Sequence, residues 1–274
     1  MQLEGKVFVV TGGGNGIARE VVLQLLAKGA RVAALDLNEQ SLAETAQLAN
    51  AGDRLTTHAV NVTDRAAVEA LPAAIRAQHG AIDGVLNIAG IIHRFAPISE
   101  LTIEEIQRVI DINYWGTVYV VKSFLPDLLA RPEAAILDFS SMGGLVPVPG
   151  QGAYGSSKAA VKLFTETLFA ELQSTNVRVT VVFPGGVSTN ITGNSGVQAP
   201  GSTTPEAAAK AAKAAKSIKM TTPQEAARLT VEALEKGTPR LLIGSDAKAL
   251  DRLGRLMPTR AIKIIADKMK AILG

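Results

Sequence analysis

Tyr154 and Lys158 stand four residues apart in a segment, Gly152 to Gln173, whose pattern predicts a long helix. Side chains at that spacing share one face. An unperturbed tyrosine titrates near pH 10, too high for efficient proton exchange at neutral pH, and a neighbouring ammonium stabilises the phenolate and lowers that value. Such a pair can act as acid and base, although at helical spacing alone it is usually a surface coincidence. Ser141, thirteen residues before Tyr154 at the end of an apolar run, makes the pattern specific, because its hydroxyl can hydrogen-bond a substrate oxygen.

A second group points to a nucleotide. Between a Val-rich run and a helical pattern reaching Leu26 the chain reads Thr11-Gly12-Gly13-Gly14-Asn15-Gly16-Ile17-Ala18. Glycines there let backbone amides approach a pyrophosphate seated on the positive end of a helix. The spacing departs from G-x-G-x-x-G, whose last position falls on Ile17, and a Gly-rich turn can also be tight packing alone. Asp36, twenty residues beyond Gly16 at the end of the next apolar run, is placed to accept both hydroxyls of an adenosine ribose. That carboxylate repels a 2′-phosphate, and neither Asn15 nor Leu37 supplies a cation, so NAD(H) is expected over NADP(H). The alternative for Asp36 is a helix or turn cap.

The elements that must position these residues follow from hydrophobic patterning. Runs rich in Val, Ile and Leu at Lys6–Thr11, Arg31–Asp36, Leu55–Val60, Ile82–Ala89, Ala134–Ser140, Val177–Phe183 and Arg240–Ile243 predict seven strands, with helical patterns in every gap. Most runs are apolar without alternation, as a parallel sheet covered by helices on both faces requires. The expected fold is α/β: one doubly wound parallel sheet, with function gathered at the strand C-termini where strand order reverses. Residues 1–246 form the expected catalytic domain. Residues 188–222, rich in Gly, Ser, Thr and Ala, are too long for an ordinary connection and predict a substrate lid, with a short helix at Pro205–Ala215; an inconsequential insertion is the alternative.

In this company the chain resembles a classical short-chain dehydrogenase/reductase from Lys6 to about Ile243. The motifs match in order: Thr11–Ala18, Asn87-Ile88-Ala89-Gly90, Asn113 in a long helix, Ser141, Tyr154-Gly155-Ser156-Ser157-Lys158, and Pro184-Gly185 with Thr189. The resemblance implies a Rossmann-type fold in which Tyr154 exchanges the proton of a carbonyl or alcohol oxygen that Ser141 holds. It implies that Lys158 binds the nicotinamide ribose, that Asn113 holds a water relaying protons from the lysine, and that Asn87 steadies the central strands and lines the ribose site. By the same resemblance Val187 and Thr189 contact the carboxamide, while Gly12, Gly14, Asn15, Gly16, Ile17, Asn61, Val62, Ala89, Gly90, Pro184 and Gly185 complete the cofactor site. Three residues depart from the family pattern. Ala18 replaces a glycine, Ile88 stands inside the Asn-x-Ala-Gly run, and Asn61 takes the place of an aspartate, still able to offer adenine a side-chain carbonyl.

The resemblance also places a substrate pocket at Ile91, Ile92 and His93, at Met142 to Gln151 including Gly143 and Pro149, and at Gly185, Gly186 and Val187. Most of these are apolar, and Arg94 alone among these stretches could hold an anion, which suits a hydrophobic secondary alcohol or ketone. His93 could bond a substrate group, but the preferred expectation is that it borders the entrance. The leading function is therefore an NAD(H)-dependent alcohol dehydrogenase or carbonyl reductase. A 3-oxoacyl thioester reductase is the alternative, against which Asp36 argues, and a non-catalytic dinucleotide-binding regulator is the remote one, since such proteins typically lose the tyrosine or lysine.

Composition narrows the field further. At 274 residues and 47% apolar content one domain can bury a full core. The absence of cysteine and the three scattered histidines predict no metal site. A net charge of +3 and 4% aromatic residues give no nucleic-acid signature. With no leader-like start and no apolar stretch of the ~18–20 residues that span a bilayer, a cytoplasmic protein is expected. Residues 247–274 carry seven basic and two acidic side chains with apolar positions at near-helical spacing. That basic amphipathic extension could lie on a membrane or deliver lipophilic substrate; packing against the body or a neighbouring subunit is preferred. A homodimer or homotetramer is expected from the family.

Overall fold

A computed structural model describes residues 1–197 and 220–273; the helix expected at Pro205–Ala215 lies outside the described residues. All seven expected strands are present: β1 (Val7–Thr11), β2 (Arg31–Asp36), β3 (Leu55–Ala59), β4 (Gly84–Asn87), β5 (Ala134–Phe139), β6 (Val177–Pro184) and β7 (Arg240–Ile243). They form one parallel sheet in the order β3-β2-β1-β4-β5-β6-β7. The order reverses between β1 and β4, whose last residues, Thr11 and Asn87, are register partners. The chain folds as a single Rossmann-type domain.

Alternate residues of β1 feed the two faces. Phe8 and Val10 pack with Val21 and Leu25 of helix α1 (Gly16–Ala27), while Val7 and Val9 pack with Val68 and Ile75 of α3 (Arg65–His79). Each such fully buried side chain contributes roughly 1.5–3 kcal/mol, which is why the central strands need no polar alternation. Helix α2 (Glu39–Ala49) follows β2 and is capped by Asn38, whose side chain accepts from Ser41 N.

Strand β4 is shorter than the expected Ile82–Ala89, and side chains end it on both sides. The Asp83 carboxylate takes Val7 N, Arg131 Nε and Lys6 Nζ. Beyond Asn87 the amides of Ile88 and Ala89 donate to Thr11 Oγ1 at 3.0 and 3.1 Å, so they turn toward β1 instead of continuing the ladder.

The expected long helix around Asn113 is helical throughout but not uniform. Helix α4 (Ile103–Ile110) opens with a Thr102/Glu105 capping box, Asp111–Trp115 is a π-helical turn, and α5 (Gly116–Leu129) continues from it. The helix carrying Tyr154 and Lys158, α6, spans Gly152–Glu171. After β6 comes one turn, α7 (Ile191–Asn194), and later α8 (Pro223–Lys236), capped by Thr222. Val187 and Thr221 form a parallel bridge where the chain leaves β6 and returns. The basic extension is helical: α9 (Ser245–Leu256) is followed by α10 (Pro258–Leu273), which packs on it. Among the described residues, no helix is long and apolar enough to cross a membrane, and no cluster of His, Asp or Glu could hold a metal ion.

Candidate active site

A cleft of about 500 Å3 opens at the C-terminal edge of the sheet, over the β1/β4 reversal. It is lined by Gly12, Asn15, Gly16, Ile17, Asp36, Asn61, Val62, Ala89, Gly90 and Thr189, ten of the residues expected at the cofactor. Gly12 adopts φ +75°, and a Cβ there would lie 3.1 Å from Ala89 Cα; only glycine joins strand to helix so close to β4. Asn15 makes no side-chain cap on α1; its amide donates to Ser41 Oγ instead.

Gly14 stays outside the cleft wall because it supports Asp36. Its N–H donates to Asp36 Oδ2 at 3.0 Å, and a Cβ would sit 2.8 Å from that oxygen. Asp36 Oδ1 accepts from Asn38 N at 3.0 Å. Asp36 is thus a turn-capping residue that also forms part of the cleft wall. Asn61 differs from expectation. Its Oδ1 already accepts from Thr63 N and Thr63 Oγ1 at 3.0 and 2.9 Å, which occupies both lone pairs and leaves the amide nitrogen, not the carbonyl, for a base.

Asn87 does not line the cleft. Its Nδ2 donates to Asp138 Oδ1, its register partner on β5, at 2.8 Å, and its own Oδ1 is buried without a hydrogen-bond partner. Asp138 is a fully buried carboxyl with no sequence signal to single it out. Burial pushes it up to about 6, against the opposing pull of the Asn87 and Thr165 bonds and the charge of Lys158. Thr165 Oγ1 contacts both Val161 O, at 2.7 Å, and Asp138 Oδ2, at 2.9 Å. The hydroxyl donates its one hydrogen to Val161 O or Asp138 Oδ2, sharing it between them, and a protonated carboxyl can in turn donate to the hydroxyl.

Lys158 and Asn113 meet beside Gly90 at the edge of this cleft, and Ser141 and Tyr154 stand together beside Gly143. A Cβ on Gly90 would lie 3.1 Å from Lys158 Nζ and 3.2 Å from Asn113 Oδ1. The lysine is buried, donates to Phe139 O at 2.8 Å, and is lowered to about 8, burial outweighing the attraction of Asp138. Asn113 clamps the loop after β4: Oδ1 accepts from Ile91 N, and Nδ2 donates to Ile91 O and Ser157 Oγ. Its own carbonyl takes Thr117 Oγ1 across the π-helical turn. The expected depression of the Tyr154 pKa by Lys158 is not found. Burial pushes the phenol up, the Ser141 hydroxyl offsets part of this, and the lysine, bonded to Phe139 O, is not among the causes.

The substrate-side residues do not form one pocket. Gly143, Pro149 and Gln151 line a second cavity with the start of α6. Met142 opens the Met142–Gly144 turn that Ser141 caps. Ile92 is buried, its N–H donating to Ser195 Oγ at 3.0 Å. Gly186 N donates to Asp246 Oδ2, and Gly186 O accepts from Thr221 N. Gly185, which follows Pro184, leaves no room for a Cβ against the same carboxylate.

His93 borders no entrance. It is 4% exposed, its Nε2 accepts from Ala153 N at 3.2 Å, and its Nδ1 lies 2.7 Å from Arg94 O. These partners require the neutral ring protonated at Nδ1. Helix α6 has no side-chain cap from its own N-cap residue, Gln151; His93 supplies the missing acceptor one residue before Tyr154.

Four contributors escaped the sequence reading: Thr11 as the pin between β1 and β4, Asp138, Asp246 beneath Gly185–Gly186, and Arg108. The last lines the cleft and donates to Ser195 O, tying α4 to the segment after β6. Only the Gly185-Gly186 pair carried a signal, that something packs closely there, without saying what.

A seven-stranded parallel sheet with a glycine turn at its reversal point and a Ser–Tyr–Lys group at its edge defines a nucleotide-dependent oxidoreductase fold. The family model for short chain dehydrogenases matches residues 6–199, and the chain belongs to that family. SadH of Mycobacterium tuberculosis, an oxidoreductase by name, is 36% identical over 266 residues, 96% of this chain and 95% of its own. A short-chain dehydrogenase/reductase from Burkholderia phymatum, solved in complex with NAD, has a TM-score of 0.83 at 27% identity, covering 93% of this chain and 94% of that one. One from Burkholderia cenocepacia, solved with NADP, has a TM-score of 0.78 at 25% identity over 97% and 99% of the two chains.

Proposed function

We propose that the protein transfers a hydride between NAD(H) and an apolar secondary alcohol or ketone, with Tyr154 exchanging the proton. The observation that carries this reading is that Lys158 and Asn113 meet beside Gly90, a wall residue of the cleft, while Ser141 and Tyr154 of the same helix–strand junction stand together beside Gly143. The cleft fits a dinucleotide: glycine turns keep side chains out of it, and α1 begins there without a side-chain cap, so its first-turn amides can meet a pyrophosphate. Asp36, fixed by two backbone amides, favours a free ribose over a 2′-phosphate. The cleft's only basic wall residue among those described, Arg108, is bonded to Ser195 O.

When bound, the dihydronicotinamide supplies a hydride to the carbonyl carbon and is oxidised to NAD+. Ser141 holds the carbonyl oxygen and Tyr154 Oη gives it a proton, completing the alcohol; oxidation runs the same steps backwards. Lys158, lowered to about 8 by burial, re-protonates the tyrosine more readily than a fully solvated lysine would. Trp115, Leu163 and Phe169 on the outer faces of the α4–α5 stretch and α6 are exposed, which supports a homodimer or homotetramer.

Tyr154→Phe is expected to lower turnover by about 100-fold or more while NADH affinity stays near wild type. A variant that keeps wild-type turnover overturns the mechanism. An NADH-oxidation screen over ketones and 3-oxoacyl thioesters separates the proposed activity from the thioester reductase.

A further inference from the structure

We propose that the second cavity holds an unbranched hydrocarbon chain of the substrate, so that the enzyme prefers long-chain ketones and alcohols. This rests on the hydride-transfer reading above. The cavity measures about 680 Å3, within the range of small-molecule sites. Its walls include Ile98, Leu101, Ile106, Leu145, Val148 and Ile262, and none of its lining side chains is ionisable. A charged group would enter without a partner at large cost, whereas a methylene chain needs none.

Gly143 joins this cavity to the proposed chemistry. It lines the cavity, and a Cβ on it would lie 3.6 Å from Ser141 Oγ and 3.7 Å from Tyr154 Cε1. Leu101, Ile106 and Ala153 belong both to the cavity wall and to the apolar cluster around the Tyr154 ring. A substrate whose oxygen meets Ser141 and Tyr154 can therefore pass its chain over a residue that has no side chain.

The C-terminal extension forms the far wall. Ala261 and Ile265 are buried and hold α10 down, while Ile262 and Ala266, one turn apart, line the cavity. The extension also touches the wall through α9, where a Cβ on Gly254 would lie 2.9 Å from Val146 Cγ1. Arg260, Lys263 and Lys268 are exposed and outside the cavity. The basic, amphipathic character of the segment is thus divided between solvent and an apolar chamber.

The test measures NADH oxidation with methyl ketones from butan-2-one to dodecan-2-one, and binding of octan-1-ol by calorimetry. Each buried methylene is worth about fourfold at most, so the wild-type KM should fall at least about tenfold from butan-2-one to octan-2-one. Ala266→Trp, or Ile262→Trp at the more exposed position, should erase that gain and leave butan-2-one kinetics unchanged. A KM indifferent to chain length, or variants that slow every ketone alike, overturns the chain site. If no ketone is reduced but octan-1-ol binds the wild type and not Ala266→Trp, the chain site stands and the hydride reading falls. If octan-1-ol binding is also absent, the chain site falls with it.

Discussion

Asp36 reaches the cleft with both carboxylate oxygens already engaged by backbone amides, those of Gly14 and Asn38. In the proposed cofactor reading its negative charge faces the position where a 2′-phosphate would need a cation, and the adjoining Leu37, 72% exposed, offers room for one. Replacing the pair, Asp36→Ala with Leu37→Arg, is expected to turn an NADH preference into an NADPH preference by at least about tenfold in kcat/KM, since one lost repulsion and one gained charge-assisted bond are together worth more than ~1.4 kcal/mol. Unchanged preference in a steady-state comparison of the two cofactors would remove Asp36 from the ribose site. Asp36, Tyr154 and Lys158 could be found in the sequence because each has a type and spacing that name a chemistry. Asp138 and Asp246 could not. Their roles depend on partners such as Thr165 and Gly186, 27 and 60 residues away in sequence, and a lone aspartate says nothing about what will pack against it. Asn61 shows the converse error: its type was read correctly, but its carbonyl is spent on Thr63 next door.

At the scale of elements, helix α6 is where position and chemistry meet. His93 replaces the absent cap by accepting Ala153 N, immediately before Tyr154. His93→Phe fills the space but strands that amide, at a cost of about 1–3 kcal/mol, and frees the first turn of the helix. The expected outcome is a lowered melting temperature and a fall in kcat that exceeds any change in KM for NADH. His93→Asn, which can still present an acceptor, should recover part of the loss, and a His93→Phe enzyme with wild-type kcat would show that the cap does not position the tyrosine. The seven strands were legible because a two-faced apolar run can be buried only inside such a sheet. The ends of β4 and the cap of α6 were not legible, since Asp83, Thr11 and His93 act across 60 to 77 residues.

Across the whole molecule, the buried Asp138 makes stability depend on pH. Its folded value, about 6, is raised above the 3.8 of an unperturbed aspartate, so the folded chain holds a proton that the unfolded chain gives up. The resulting stabilisation is complete below about pH 4 and is lost as pH rises through 6, amounting to roughly 3 kcal/mol at most. Asp138→Asn keeps a donor for Thr165 and an acceptor for Asn87 without the ionisation. Urea denaturation at pH 4.5 and 7, where Lys158 stays largely charged, should show the wild type losing stability relative to the variant at the higher pH; parallel behaviour of the two would refute an uncharged Asp138 at low pH. The strand order has a consequence of another kind. Of the strands in this sheet β1 is made first yet lies inside it, between β2 and β4, and the neighbour on its second side, β4, begins only at Gly84. At ~5–20 residues per second, a bare Val-rich edge waits roughly 4–15 s for its partner. An open apolar edge of that kind invites pairing with other chains, so the stretch from β1 to the end of α3 is open to off-pathway pairing until β4 follows it.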